Sequence, residues 1–185
     1  MAKKVALFIA DGTEETEAIT PADLLRRAGI DVDIVSVMDR PDITASRGVR
    51  ITADKVIRDI VFNDYDLLIL PGGVKGTENL NSNNLLKANI RQFYDENKGI
   101  AAICAAPTIF AEMGLLNGRN ATCNPGFREV LRENGAVLDE ESKVVTDGNI
   151  ITSQAMGTSV DFGLAIVSYL KGEKDAYNLK DNIRF

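Results

Sequence analysis

Short apolar runs that end in small or turn-forming residues alternate along this chain with stretches of helical period, and that alternation leaves few folds open. Lys4–Ala10 reads as a strand, and Glu14–Ala28 as a helix capped by Thr13 and ended by Gly29. Val32–Val37 is a second strand, and Tyr65–Leu70 is a short buried one closed by Pro71-Gly72-Gly73. Helices at about 84–97 and 107–115 flank a strand at 100–103. Val144–Thr146 and Ile150–Ser153 pair across Asp147-Gly148, a hairpin-turn dipeptide, and Thr158–Leu170 is a closing helix with Asp161 in its first turn. Ile43–Ile51 reads instead as a hairpin arm turning near Arg47-Gly48. Alternation of this kind predicts an α/β fold, a mostly parallel sheet with helices on both faces.

Residues 1–185 read as one domain, of a size that buries roughly 70% of its unfolded surface. Its two cysteines, Cys104 and Cys123, are too few for a disulfide framework. Met1-Ala-Lys-Lys lacks the pattern of a signal peptide, and no apolar run nears the length that spans a bilayer. A soluble cytoplasmic protein with reduced thiols is expected. A net charge of −6 with no basic block argues against nucleic acid or an anionic membrane as partner. The chain has no histidine, which removes Ser-His-Asp and Cys-His catalysis and every His-ligated metal site.

Ligands of such sheets sit beyond the carboxyl ends of the strands, where Ala10-Asp11-Gly12, Pro71-Gly72-Gly73 and Cys104 should converge. Cys104 follows a strand and precedes a helix opened by Ala105-Ala106-Pro107, the setting of a nucleophile elbow. Ala102 and Ala106 supply the small residues that such a turn favours two positions either side. The following helix aims N–H groups at the sulfur and favours a thiolate; the alternative is an ordinary buried core thiol. On the first helix Glu17 shares a face with Pro21, Leu24 and Ala28, whereas Glu15 points almost the opposite way, toward solvent. A carboxyl on the packing face is desolvated, and its pKa should rise. The alternative for Glu17 is a helix-start carboxylate favoured by the dipole; Glu14, about 60° around, is a weaker candidate for the same role. Pro21 should bend this helix. Gly72 and Gly73 either form an anion-holding nest or are a common turn; beside Cys104, the amides of Gly73 and Ala105 could make an oxyanion hole.

Four segments, Ala10-Asp-Gly-Thr-Glu-Glu-Thr-Glu17, Leu68-Ile-Leu-Pro-Gly-Gly73, Ala101-Ala-Ile-Cys-Ala-Ala-Pro107 and Ser153-Gln-Ala-Met-Gly-Thr-Ser159, resemble the DJ-1/ThiJ/PfpI superfamily, most closely its DJ-1/YajL-like branch. The resemblance spans nearly the whole chain. It implies a flavodoxin-like three-layer sandwich, a homodimer, and a reactive cysteine paired with a protonated glutamate. Matched residue by residue, Cys104 takes the nucleophile position, Glu17 that of its carboxyl partner, Gly73 and Ala105 those of the backbone donors, and Arg47 the arginine of the small hairpin arm near the dimer interface. Two departures stand out. Ala105 follows the cysteine where protease branches of the family place histidine. Asn124 stands in Ala121-Thr-Cys-Asn-Pro125 where relatives often carry histidine; it can orient a substrate but cannot act as a base near neutrality. Peptide hydrolysis is therefore not expected.

The resemblance implies a stress protein described variously as a cofactor-free glyoxalase, deglycase, oxidation sensor or chaperone, with an older label in thiazole synthesis. Physical reasoning favours small 2-oxoaldehydes as substrates, with Gly72, Asn124 and Arg47 in the pocket and neither metal nor cofactor. The rival reading is a sensor whose Cys104 is oxidised to sulfinate. Cys123 is a packing residue or a resolving thiol. Arg26 and Arg27 complement a helix end, and Ile19, on the polar side of the first helix, hints at contact with a second subunit.

Overall fold

The structure, a computed structural model, describes residues 3–185. The elements in chain order are β1 (Lys4–Ile9), α1 (Glu15–Arg27), β2 (Asp31–Ser36), β3 (Asp42–Thr44), β4 (Arg50–Thr52), β5 (Lys55–Val56), β6 (Leu67–Leu70), α2 (Val74–Ser82) and α3 (Asn84–Asp95). There follow β7 (Gly99–Ile103), α4 (Pro107–Glu112), β8 (Asn120–Ala121), α5 (Arg128–Glu133), β9 (Val137–Leu138), β10 (Val144–Asp147), β11 (Ile150–Ser153), α6 (Ser159–Lys171) and α7 (Glu173–Asn182). Seven strands form one sheet in the order β10-β11-β7-β6-β1-β2-β5, parallel throughout except for β10 at one edge.

The strands are apolar on both faces because both faces are covered. In β1, Val5, Leu7 and Ile9 pack with Ala18, Leu25, Phe162 and Val167 of α1 and α6. Ala6 and Phe8 point the other way, into a second cluster with Leu80, Ile90, Phe93 and Phe110 from α2, α3 and α4. Each large side chain so buried contributes roughly 1.5–3 kcal/mol. The α/β sandwich expected from the alternation is the observed architecture. Its register sets Leu7, Ile69 and Ala101 side by side, so β1, β6 and β7 end together and deliver Ala10, Pro71 and Cys104 to one rim.

The arm is also as expected: β3 and β4 pair antiparallel, with Gly48 at φ +87° in the turn. The cap of α1 differs. Thr13 turns its hydroxyl back to accept the Ala10 N–H at 2.9 Å, satisfying the buried end of β1. Glu14 caps the helix instead, its Oε2 accepting the Glu17 N–H at 2.9 Å. Gly29 ends α1 at φ +70°, as its position suggests. Pro21 lies inside α1 on the buried side and, lacking an N–H, leaves the Glu17 carbonyl without its helical donor. The sequence pattern marks none of β5, β9, α5 and α7, and it places β8 a little late, in a strand-like run beginning at Ala121. The three strands have two residues each, too few to show a period, and α7 is polar with Leu179 its one buried residue. Among the described residues no helix is long and apolar enough to cross a membrane.

Candidate active site

Cys104 leaves the end of β7 at φ +67°, in the left-handed region that side-chain-bearing residues rarely occupy. Such a conformation is unfavourable by about 1–3 kcal/mol and persists only where the surroundings enforce it. Here the Cys104 N–H donates to the Ser153 carbonyl at 3.1 Å, and its own carbonyl accepts the Asn124 N–H at 3.0 Å. Ala102 and Ala106 are fully buried on either side, as the elbow requires. Of the N–H groups after the sulfur, that of Ala106 is already bonded to the Ile103 carbonyl at 3.1 Å. Ala105 is left to act on the sulfur, together with Gly73 across the gap. Gly73 can serve because it has φ +85°; a Cβ there would lie 2.3 Å from the Gly12 carbonyl oxygen.

Glu17 reaches the same point from α1 and is 1% exposed. Its Oε2 accepts the Gly72 N–H at 2.9 Å, while its Oε1 has no hydrogen-bond partner. A proton on Oε1 would turn that orphan acceptor into a donor. Burial pushes the carboxyl up to about 7 from an ordinary 4.5, against the opposing influence of the Cys104 thiol and of the Gly72 and Met156 N–H groups, while the charge of Glu14 adds to the rise. Burial raises the Cys104 thiol too, to about 12, with the neighbouring Glu17 carboxylate pushing the same way and the Gly73 and Ala105 N–H groups opposing. Carboxylate and thiolate therefore disfavour each other, and one proton belongs to the pair rather than to either residue. The helix after the sulfur does not by itself make a thiolate.

Gly72 is the spacer between the two groups. A Cβ on it would sit 2.6 Å from both the Cys104 Cβ and a Glu17 carboxyl oxygen. Gly72→Ala is expected to push the pair apart, lower stability by about 1–3 kcal/mol, and erase the influence of Glu17 on sulfur reactivity. Thermal unfolding and the pH profile of Cys104 alkylation check this; an unchanged profile contradicts the spacing role.

The sulfur opens into a cavity of about 530 Å³ lined by Gly12, Glu14, Ala45, Ser46, Arg47, Gly73, Val74, Lys75, Asn124 and Phe127. Arg47 and Asn124, expected at the pocket, line it, whereas Gly72, expected with them, is buried between Glu17 and Cys104 and is not part of the lining. Asn124 commits its side-chain oxygen to the Gly126 N–H at 3.0 Å, so its amide N–H groups are what it can offer a ligand. Glu15 lies at the surface, as expected, and there accepts the Ser46 hydroxyl at 2.9 Å and the Arg47 N–H at 3.1 Å. It fastens the arm over the cavity, because the arm folds back across the start of α1. Ser46, Lys75 and Phe127 went unmarked as pocket residues; Lys75 adjoins the Gly72-Gly73 turn, and that adjacency is the signal that could have found it.

Cys123 is fully buried among residues facing α2–α5, and burial pushes its thiol up to about 11. Cys104 packs against the other cluster, so no resolving role is supported. Arg26 pairs with Asp54 at 2.8 Å and Arg27 with Asp23 at 2.6 Å, neither near the sulfur. A second cavity of about 530 Å³ is lined by Ile19, Leu24, Val160 and Phe185 among others, and neither cysteine is part of its lining. The described residues contain no cluster of metal-ligating side chains.

A profile of the DJ-1/PfpI family matches residues 3–169. Protein DJ-1 homolog B of Arabidopsis thaliana is 38% identical over 175 residues, which are 94% of this chain and 40% of that longer protein. The Schizosaccharomyces pombe protein named glutathione-independent glyoxalase DJ-1 is 36% identical over 184 residues, covering 95% of this chain and 94% of its own. The crystal structure of Drosophila melanogaster DJ-1beta superposes with a TM-score of 0.94 at 33% identity, over 99% of this chain and 98% of that one. An elbow cysteine, a buried glutamate across a glycine spacer and a match over most of the sequence agree: the chain belongs to the DJ-1/PfpI family.

Proposed function

We propose that this protein converts small 2-oxoaldehydes to 2-hydroxy acids without a cofactor, through Cys104 and Glu17. The observation that carries the reading is the buried Glu17 carboxyl, one oxygen unpartnered, set beside a sulfur that opens into a cavity. The name of the yeast relative supports it.

In this reading the sulfur adds to the aldehyde carbon, forming a C–S bond while the carbonyl oxygen becomes an oxyanion facing the Gly73 and Ala105 N–H groups. Glu17 protonates that oxygen to give a hemithioacetal. As carboxylate, Glu17 then removes the hydrogen from this carbon and returns a proton to the adjacent one, while the hydroxyl proton shifts between the two oxygens. The first carbon is oxidised to a thioester and the second reduced to an alcohol, so no outside oxidant enters. Water, activated by Glu17, cleaves the thioester and restores the free sulfur. The sum is one 2-oxoaldehyde plus one water giving one 2-hydroxy acid. No step calls for a histidine.

Incubation with methylglyoxal, glutathione absent, is expected to yield lactate. The same accessible sulfur supports a second reading, oxidation sensing, in which peroxide supplies two oxygens and takes Cys104 to sulfinate. Selective gain of two oxygens at Cys104 under graded peroxide, with no lactate formed, would favour the sensor and reject the glyoxalase.

A further inference from the structure

The Cys104 cavity carries an unequal charge. Arg47 from the arm and Lys75 from the first turn of α2 line it, against one carboxylate, Glu14. Glu14 is already engaged by the Glu17 N–H. The Arg47 guanidinium forms no ion pair among the described residues, although its charge is felt by the Glu15 carboxylate, which also holds its backbone N–H and lies outside the cavity lining. Lys75 Nζ meets Glu78 at 3.0 Å, but both side chains are more than half exposed, and such a pair holds weakly in water. The nine-residue helix α2 starts at the same wall and adds partial positive charge. Positive charge there favours the thiolate and the oxyanion whatever the aldehyde, so a preference for anionic over neutral substrates is what distinguishes a carboxylate site.

We propose that the preferred substrates are 2-oxoaldehydes bearing a carboxylate, whose anionic end is held by Lys75 and Arg47 while the aldehyde meets Cys104. The volume, about 530 Å³, suits a small ligand of this kind. The product is a 2-hydroxy dicarboxylate, formed with the same balance of one water per substrate. This inference rests on the glyoxalase reading for its chemistry, whereas the selection of anions is a separate property of the cavity.

Two substrates of equal chain length separate the cases: 4,5-dioxopentanoate and the neutral 2-oxopentanal. The kcat/KM ratio, anionic over neutral, is expected to be at least about 5 at low salt, and to fall several-fold in Lys75→Met, in Arg47→Leu and at roughly 0.5 M salt. A ratio at or below one, with both compounds turned over, overturns the proposal and leaves the glyoxalase reading intact. Turnover of neither overturns the substrate assignment along with that reading. Anion selection is then read from alkylation of Cys104 by iodoacetate and iodoacetamide, where sulfur displaces iodide from each. Relative to free cysteine, the iodoacetate preference is expected to be at least about 5-fold higher and to drop in Lys75→Met; a ratio equal to that of free cysteine removes the anion site.

Discussion

Cys104→Ser is expected to lower lactate formation from methylglyoxal by at least about a thousandfold. The substitution keeps the size and shape of the side chain, and the elbow is held by backbone bonds to Ser153 and from Asn124 that it leaves alone. The reacting atom is what changes. A hydroxyl loses its proton far less readily than a thiol, and a carboxyl raised only to about 7 is too weak a base to remove it. A loss of a thousandfold corresponds to about 4 kcal/mol of barrier. Folding of the variant is checked by thermal unfolding alongside the lactate assay. Turnover within tenfold of the parent would mean that no C–S bond forms on the route.

Glu17→Gln is expected to act in opposite directions on stability and on turnover. The Glu17 carboxyl lies at about 7 in the fold against 4.5 as its ordinary value, so the folded state holds this proton more tightly than the unfolded chain. As pH rises from about 4.5 to 7, the unfolded chain releases the proton first and stability falls; above 7 the whole loss is present. A shift of this size is worth about 3 kcal/mol by the usual conversion. Glutamine, which stays neutral, is spared that loss, although its amide must find its own partners. A gain of about 1–3 kcal/mol at pH 8, or several degrees in Tm, is therefore expected, shrinking toward zero at pH 4. Turnover should drop by two orders of magnitude or more, because the group that carries the proton between the two carbons is gone. Denaturant unfolding at the two pH values checks the first half. Equal gains at pH 4 and pH 8 would mean that Glu17 is not held protonated by the fold.

The parts of the site that could be read in advance are those in which residue type and spacing favour a geometry. Cys104, with alanines two positions either side at a strand end, has the spacing of an outward-facing elbow, although the same run also fits a buried core thiol, and Glu17 at helical spacing from Leu24 falls on the packing face. The parts that could not be read depend on segments far apart in sequence. Thr13 serves as a cap by local rules, yet here the unpaired N–H of Ala10 claims its hydroxyl and Glu14 takes over. Glu15 reads correctly as a surface carboxylate, but nothing in α1 announces that the arm folds back to place Ser46 and Arg47 against it. Lys75 reads as one more surface lysine until the end of β6 is seen beside that of β7. The ionisation of the sulfur was the hardest to foresee, since it depends on burial and on the charge of a residue 87 positions earlier (104 − 17).

The clamping of Cys104 by Ser153 and Asn124 sets the sulfur and the side chains proposed to select its substrates in different materials. The elbow is built from main chain and core, where almost any change is felt by the whole fold, whereas Arg47 and Lys75 are exposed side chains on a hairpin and a helix start. Either rim side chain can therefore be exchanged with the fold and the display of the sulfur left in place.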